Sequence, residues 1–552
     1  MANIAEFFAQ HLTAPDKALY RRHAGDGWSD VSVGELAGLI GRWQAALGSL
    51  GFEAGDRIAI CLRNSIDWVA LDLSALGLGI VVVPLYVDDN PDNVAWCAAN
   101  AEVRALIVDR TGLGKALAAI GGTLPPLYVL HPDPGDALPS VAAILPATAP
   151  APRFAALADD ALATICYTSG TSGRPKGVML SHGNIIANVR SCRETGMARA
   201  SDTFLSILPL SHMFERTGGY YLPLSLGAKV VFSRGVSLLA EDLASQAPTV
   251  MFAVPRIFEK FLERINQALA PSPLRRWLFE QCASRGWRVE QRKAGWLDVL
   301  ARPLLRATVA RPILARLGGR LRLTVVGGAA LDPALSHTFI GLGLPMLQGY
   351  GMTEASPVVS VNRGDDNDPD SVGPPLPGVE VKLGSAGELL VRGGNVMQGY
   401  WRNPDATRAA VDGDGWLHTG DLAEIRHGRI YLRGRLKDIL VMSTGEKLSP
   451  QDAEFALLRD PLFEQVMLIG EARPFLSLLA VSREADEQVL LSRANQLLKD
   501  FPRWVRVRRA IAVREPWTLE NGLLTPTLKL KRPRVLERYK NAIDALYAGA
   551  GG

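Results

Sequence analysis

Short runs of consecutive apolar residues alternate with longer amphipathic runs through the first half of the chain. DRIAICL precedes a helical stretch that ends at Gly77, GIVVVPLY precedes NVAWCAANA, ALIVD precedes another helical run, and TVMFAVP precedes RIFEKFLERI. Brief unbroken apolar runs bounded by turn residues fit strands buried on both faces, and their alternation with helices predicts parallel sheets covered by helices. The same beat returns at LRLTVVGGAAL near Leu321. From Val379 the texture changes to short strands and turns, VEVKLGSAGELLVRG and GRIYLRGR, which predicts a small β-rich subdomain. After Gly434 a further compact unit begins, with a helix near PQDAEFALL and strands EQVMLIG and FLSLLAVS. The expected fold class is α/β. A large N-terminal domain of parallel α/β sheets with a β-rich subdomain spans 1–434, and a small α+β C-terminal domain spans 435–552. The Pro/Ala-rich stretch around 134–154 is expected to be an irregular loop.

Composition narrows the class only a little. At 552 residues the chain exceeds the usual limit of one hydrophobic core. A formal charge of +4 gives no support for wholesale nucleic-acid binding. Five cysteines, odd in number and without a CxxC pair, point to free thiols in a reducing cytoplasm. The first residues, MANIAEFFAQHL, carry no basic, apolar leader pattern, so no secretion signal is expected. The longest apolar run, from Trp68, contains Asp72, Gly77, Gly79 and Pro84, and reads as a helix followed by a strand rather than a membrane span.

Candidate chemistry begins with YTSGTSGRPKG, residues 167–177. A P-loop would place Gly-Lys-Ser/Thr after the spacer, but here Pro175 takes the second glycine's place and Gly177 follows Lys176. What remains is a loop of Cβ-free glycines, the hydroxyls of Thr168, Ser169, Thr171 and Ser172, and the charge of Lys176, all suited to an anion. A flexible linker of the same composition stays open from these residues alone. The apolar run ATICY before the loop and a helix starting at HGNIIANVRS after Ser181 favour a loop between ordered elements.

The ordered set YTSGTSGRPKGVMLSH, LPLSHMFER, VVGGAAL, QGYGMTE, GWLHTGD, GRLKDILVMSTGEKLSP and NGLLTPTLKLKR resembles the adenylate-forming superfamily of acyl-CoA synthetases, luciferases and peptide-synthetase adenylation domains. The resemblance covers nearly the whole chain and implies that the C-terminal domain is mobile, with the active site between the two domains. It implies that a carboxylate attacks the α-phosphate of ATP to give an acyl-adenylate and pyrophosphate, and that a thiol then displaces AMP. Thr168, Ser169, Gly170, Thr171, Ser172, Gly173 and Lys176 would form the loop over the β- and γ-phosphates. Gly327, Gly328 and Ala329 would let the purine lie against backbone. In Gln348, Gly349, Tyr350 and Gly351 the tyrosine would stack on adenine, Thr353 would bind the α-phosphate, and Glu354, with Thr168, would hold Mg2+. Asp421 would accept the ribose hydroxyls and Arg435 would add a ribose or phosphate contact. His212 would orient the acyl carboxylate. Lys529, matched through TLKLKR with Arg532 trailing, would stabilise the adenylation transition state, although Thr527 and Leu528 replace the family's Ser-Gly and Lys531 lies two residues on. Lys437 marks the hinge, and Gly445 would line the tunnel for the pantetheine arm of CoA.

Within the superfamily, LPLSHMFER and APTVMFAVPRIFEKF most resemble long-chain fatty-acid CoA ligases. The implied function is a fatty acyl-CoA synthetase. Acyl carrier protein as acceptor, or an aryl or branched acid, stays open, as does a non-catalytic homologue. The implied partners are small molecules: fatty acid, ATP and CoA. Between Pro271 and Leu323 arginines from Arg275 to Arg322 are interleaved with Trp277, Phe279, Trp287 and Trp296. Two readings stand here: amphipathic helices docking on an anionic membrane, with the protein peripheral at its cytoplasmic face, or solvated helices whose aromatics face the core.

Overall fold

The computed structural model describes the chain except residues 1–2, 26, 121–123, 169–173, 485, 519–520, 525–529 and 549–552. Two large sheets dominate. The seven-stranded one contains Val81–Pro84, Arg57–Cys61, Ala105–Arg110 and Leu127–His131 in parallel register, and the eight-stranded one contains Thr203–Ser206, Val250–Ala253, Leu323–Val326 and Met346–Gly351 in parallel register. Arg57–Cys61, Val81–Pro84, Ala105–Arg110, Val250–Ala253 and Leu323–Val326 lie in the apolar runs of the sequence, and every side chain on these five but Arg57 and Arg110 is buried, as strands covered on both faces require. A four-stranded antiparallel sheet, Val379–Leu383 to Arg429–Arg435, is the β-rich subdomain, and a three-stranded sheet with helices Pro450–Leu458 and Glu487–Leu497 forms the C-terminal unit. The stretch 134–154 is irregular apart from one turn of helix, Val141–Ile144.

One difference from the sequence reading lies beside the glycine-rich loop. The loop does not lead directly to a helix: Lys176–Ser181 is a strand, antiparallel to Leu162–Thr168, with Thr168 paired to Lys176. The helix His182–Glu194 follows, capped by Ser181, whose hydroxyl accepts from the Asn184 amide. The sequence KGVMLS is too short and too close to the glycines to show its period alone.

The two large sheets meet over helix Ile66–Gly77, buried along its length, and the π-helical run Glu215–Tyr221. Here Arg216 and Asp72, both fully buried, form an ion pair. Tyr221 Oη donates to Asp72 Oδ2 at 2.9 Å, and Arg216 also donates to Thr164 Oγ1 at 2.9 Å. Trp68 and Tyr221 offer ring faces 5.3 and 5.5 Å from the guanidinium carbon. Burial disfavours the charge on Arg216, but the Asp72 carboxylate outweighs it and raises the guanidinium's pKa; burial raises the Asp72 pKa, opposed by Arg216 and Tyr221. Asp72 belongs to the first sheet's connections, Thr164 to its strands and Arg216 to the run after Thr203–Ser206 of the second. The pair therefore fixes one sheet against the other. Arg216→Met, which strands the Asp72 carboxylate, is expected to cost about 3–5 kcal/mol in urea unfolding followed by tryptophan fluorescence. The double variant with Asp72→Leu is expected to recover most of that loss; a single variant no worse than the double would contradict the assignment.

Candidate active site

Parallel strands of both large sheets end at one cleft of about 2590 Å³. Thr168 ends Leu162–Thr168, Leu85 follows Val81–Pro84, Val254 follows Val250–Ala253, and Gly327 follows Leu323–Val326, and all four line it. In open α/β sheets ligands bind beyond the carboxyl ends of the strands, where loops diverge and backbone groups stand unpaired. The C-terminal unit supplies the opposite wall, through helix Pro450–Leu458 and the segment 530–537. Arg459 reaches across to Asp332 at 3.2 Å.

The sequence motifs meet here in two polar groups. In the first, Tyr350 Oη donates to Asp421 Oδ2 at 2.6 Å and Arg435 Nε donates to Asp421 Oδ1 at 2.9 Å. The register of one hairpin sets this geometry. Strands Leu417–Arg426 and Arg429–Arg435 pair antiparallel with Asp421 opposite Arg435, joined through His427 and Gly428, both at positive φ as a two-residue turn demands. Burial and the facing Asp421 carboxylate raise the Tyr350 pKa, so its phenol remains a donor. Glu388 braces the same motif from behind: its carboxylate accepts from the Gly420 amide at 2.9 Å and lies 3.0 Å from His418 Nδ1.

In the second group, Glu354 is buried on the short turn Thr353–Ala355 and its Oε1 accepts from Tyr400 Oη at 2.9 Å. Lys176 Nζ sits 4.9 Å from the centre of the same tyrosine ring. Tyr400 pairs with Val178 on the strand that Lys176 begins, so the lysine and the carboxylate share one aromatic support. Sequence reasoning passed over Tyr400. Its signal was the tripeptide QGY, which occurs at 348–350 and again at 398–400.

Gly327, Gly328, Ala329, Gln348, Gly349, Gly351 and Thr353 line the cleft beside Tyr350. Gly328 has φ +78°, and a Cβ on Gly351 would stand 1.9 Å from the Pro357 carbonyl oxygen, so two of these glycines are required by the backbone itself. His212 also lines the cleft; its Nδ1 accepts from the Phe214 amide at 3.2 Å, which in the neutral ring leaves the proton on Nε2. The loop before it is held by Asn64, which accepts from the Leu210 amide at 2.8 Å and donates to the Leu208 carbonyl at 2.7 Å. Apolar walls continue past Phe214, whose ring meets Phe252 at 5.4 Å, toward Leu222, Val325 and Val361.

Lys437 lines the cleft on an exposed turn, Leu436–Asp438. Gly445 does not: it lies on an exposed turn at φ +92° with open space where a Cβ would be. Ser169, Gly170, Thr171, Ser172, Gly173 and Lys529 lie outside the described residues. Lys531 and Arg532 both line the cleft, and Arg532 is held there by Glu454, at 2.8 and 2.9 Å, and by the Leu468 carbonyl at 2.7 Å. Among the described residues no group of three or more His, Cys, Asp or Glu side chains could enclose a metal, and no helix is long and apolar enough to cross a membrane.

Comparison with known proteins shows the family of the chain. The family model for AMP-binding enzymes matches residues 7–401, and that for the AMP-binding enzyme C-terminal domain matches residues 437–551. A protein of Mycobacterium bovis named long-chain-fatty-acid–CoA ligase FadD15 is 32% identical, covering 99% of this chain and 97% of its own. Peroxisomal long chain acyl-CoA synthetase 6 of Arabidopsis thaliana is 32% identical over 95% of this chain and 83% of its own. The fold matches the anthranilate CoA ligase AuaEII, solved with anthranoyl-AMP, with a TM-score of 0.79 at 20% identity and 98% of each chain covered. It also matches ATP-bound MatB of Rhodopseudomonas palustris, with a TM-score of 0.76 at 24% identity, covering 98% of this chain and 99% of the other. With a family model spanning most of its length and relatives at this identity over nearly all of it, the chain belongs to the AMP-binding enzyme family.

Proposed function

We propose that this enzyme activates a long-chain fatty acid with ATP and passes the acyl group to coenzyme A. The observation that carries the reading is full-length similarity to ligases named for that reaction, joined to a cleft where the motifs of the nucleotide site converge. One carboxylate oxygen attacks the α-phosphorus and pyrophosphate leaves. The CoA sulfur then attacks the acyl carbonyl, the thiol proton is lost, and AMP departs.

The residues divide this work by charge. Asp421, held by Tyr350 and Arg435, is suited to a vicinal diol, since each of its oxygens keeps a second lone pair after accepting from those neighbours. Tyr350 supplies a ring for adenine, while Gly327, Gly328 and Ala329 give the purine access to backbone. Thr353 would take the α-phosphate. Thr168 and Lys176, with Ser169 to Gly173 between them, would take the β- and γ-phosphates. Mg2+ suits a single buried carboxylate, because this small cation prefers one or two protein carboxylates with substrate phosphates over an all-protein cage. Glu354, with Thr168, would hold it, and it would offset charge on the phosphates. His212 would face the fatty-acid carboxylate, which is already ionised at neutral pH and needs orientation rather than a base.

The apolar side of the cleft, along Phe252, Val325 and Leu222, would take the acyl chain. The part after residue 434 would act as a separate domain that closes on the nucleotide, turning at Lys437. Gly445 would reach the thiol's path only after such a turn. A location at a membrane surface belongs to the same reading, because long-chain acids partition there.

ATP–pyrophosphate exchange across saturated acids of graded length is expected to peak with long chains, and added CoA to convert the activated acid to thioester; a short-chain or aryl optimum would overturn the substrate assignment. Lys529→Ala is expected to slow adenylation at least ~100-fold, the scale for losing one charge-stabilising group at a transition state. Lys531→Ala is expected to keep most of the exchange activity; the opposite pattern would transfer the role to Lys531. Asp421→Ala is expected to raise KM for ATP at least ~10-fold, with KM for the acid unchanged, the loss expected when hydrogen bonds to a charged group are removed. An unchanged ATP KM would remove Asp421 from the nucleotide site.

A further inference from the structure

Helix Trp296–Leu305 faces the wrong way for a protein surrounded only by water. Trp296 is 71% exposed, Leu300 and Leu304 are each 68% exposed, and Leu297 and Val299 are more than half exposed. At helical spacing these five side chains form one contiguous outward stripe. The inward side holds the acid instead: Asp298 is buried, accepts a two-pronged contact from Arg288 and lies 3.5 Å from Arg285. The preceding helix, Pro273–Glu290, adds Leu274 at 65% and Trp277 at 54% exposure, on the same stripe as Arg285 and Arg288, against which the second helix rests. The alternative left open by the sequence, aromatics turned to the core, holds for Phe279, which is buried, and for Trp287, which stacks on His337 at 4.1 Å. It does not hold for Trp277 and Trp296.

Charge then selects the partner. Arg275, Arg292, Lys293, Arg306 and Arg311 are exposed, and none of them joins an ion pair among the described residues. Arg292 and Lys293 lie two residues before the apolar helix, across Ala294 and Gly295, and Arg306 immediately follows it, so cations frame the stripe at both ends. An apolar helix face lying flat between cations complements a surface that is greasy within and anionic at its rim. A second copy of this chain would bring the same cations against themselves. We propose that this helical hairpin is a docking surface for an anionic lipid bilayer, with Trp296, Leu297, Leu300 and Leu304 entering the interface and Arg292, Lys293 and Arg306 meeting headgroups. Its purpose, delivery of membrane-held acid to the cleft, rests on the proposed fatty-acid substrate; the docking itself does not.

The test is flotation of the whole enzyme, without fatty acid, ATP or CoA, on phosphatidylcholine vesicles with and without 30 mol% phosphatidylglycerol, a ratio of roughly the anionic-leaflet kind. The wild type is expected to float with the anionic vesicles and to be released by high salt. Trp296→Ser/Leu300→Ser/Leu304→Ser is expected to lose binding at least ~10-fold, in line with the apolar area withdrawn from the interface, while keeping wild-type pyrophosphate exchange with a soluble acid. Arg292→Gln/Lys293→Gln is expected to weaken binding about 30-fold, at about five-fold per basic side chain near an anionic surface. Flotation unaffected by the triple variant, or indifferent to lipid charge, overturns the proposal. So does sedimentation showing a wild-type dimer that the triple variant converts to monomer. Exchange activity that fails with every fatty acid would overturn the function instead and leave the flotation result standing.

Discussion

A guanidinium and a carboxylate that see no water, Arg216 and Asp72, set the distance between the two large sheets. Taking such charges out of water is costly, and the cost is offset only while both partners and their hydroxyl neighbours stay in place. The arrangement therefore tolerates little sliding of one sheet on the other. The cleft is made of strand ends from both sheets, so its width is inherited from that pair. His212, four residues before Arg216 and bonded from its carbonyl to the Arg216 amide at 3.0 Å, is carried to the cleft on the same rigid turn. Glu215, next to Arg216, is wholly buried and pushed up to about 8, so beside the charged guanidinium the π-helical run holds a carboxyl group whose charge is suppressed by burial.

Around this fixed frame the site is assembled from side chains that come from distant parts of the sequence and are locked by neighbours before any substrate arrives. Asp421 is held by Tyr350 and Arg435, Glu354 by Tyr400, and the Leu208–Leu210 loop by Asn64. Such preorganisation matters for a reaction that brings a carboxylate toward a polyanion, because groups already aimed at the developing charge need no reorganisation at the moment of transfer. The surface helix Trp296–Leu305 follows the opposite rule, with Asp298 inward and Trp296, Leu297, Val299, Leu300 and Leu304 outward.

The layered sheets were legible because their strands are unbroken apolar runs, and the cleft's principal residues were legible because they travel in short ordered motifs. What was hidden depended on partners far apart in the chain. Asp72 read only as an interruption in an apolar run; its partner lies 144 residues away. Tyr400 stands 46 residues from Glu354 and carries no motif beyond a repeated tripeptide. The strand Lys176–Ser181 was absorbed into the glycine-rich loop because its pairing, not its composition, defines it. The direction of the aromatics between Trp277 and Trp296 could not be read from spacing, since the same pattern serves a core-facing or a surface-facing helix.

The central claim is that the carboxylate itself attacks the α-phosphorus in this cleft. It is tested most directly with a long-chain acid labelled with 18O in both carboxyl oxygens, turned over with ATP and CoA, and the products weighed by mass spectrometry. The account predicts one labelled oxygen in AMP and one in the thioester carbonyl, with pyrophosphate unlabelled. Label in inorganic phosphate or pyrophosphate, or ADP in place of AMP, would contradict it.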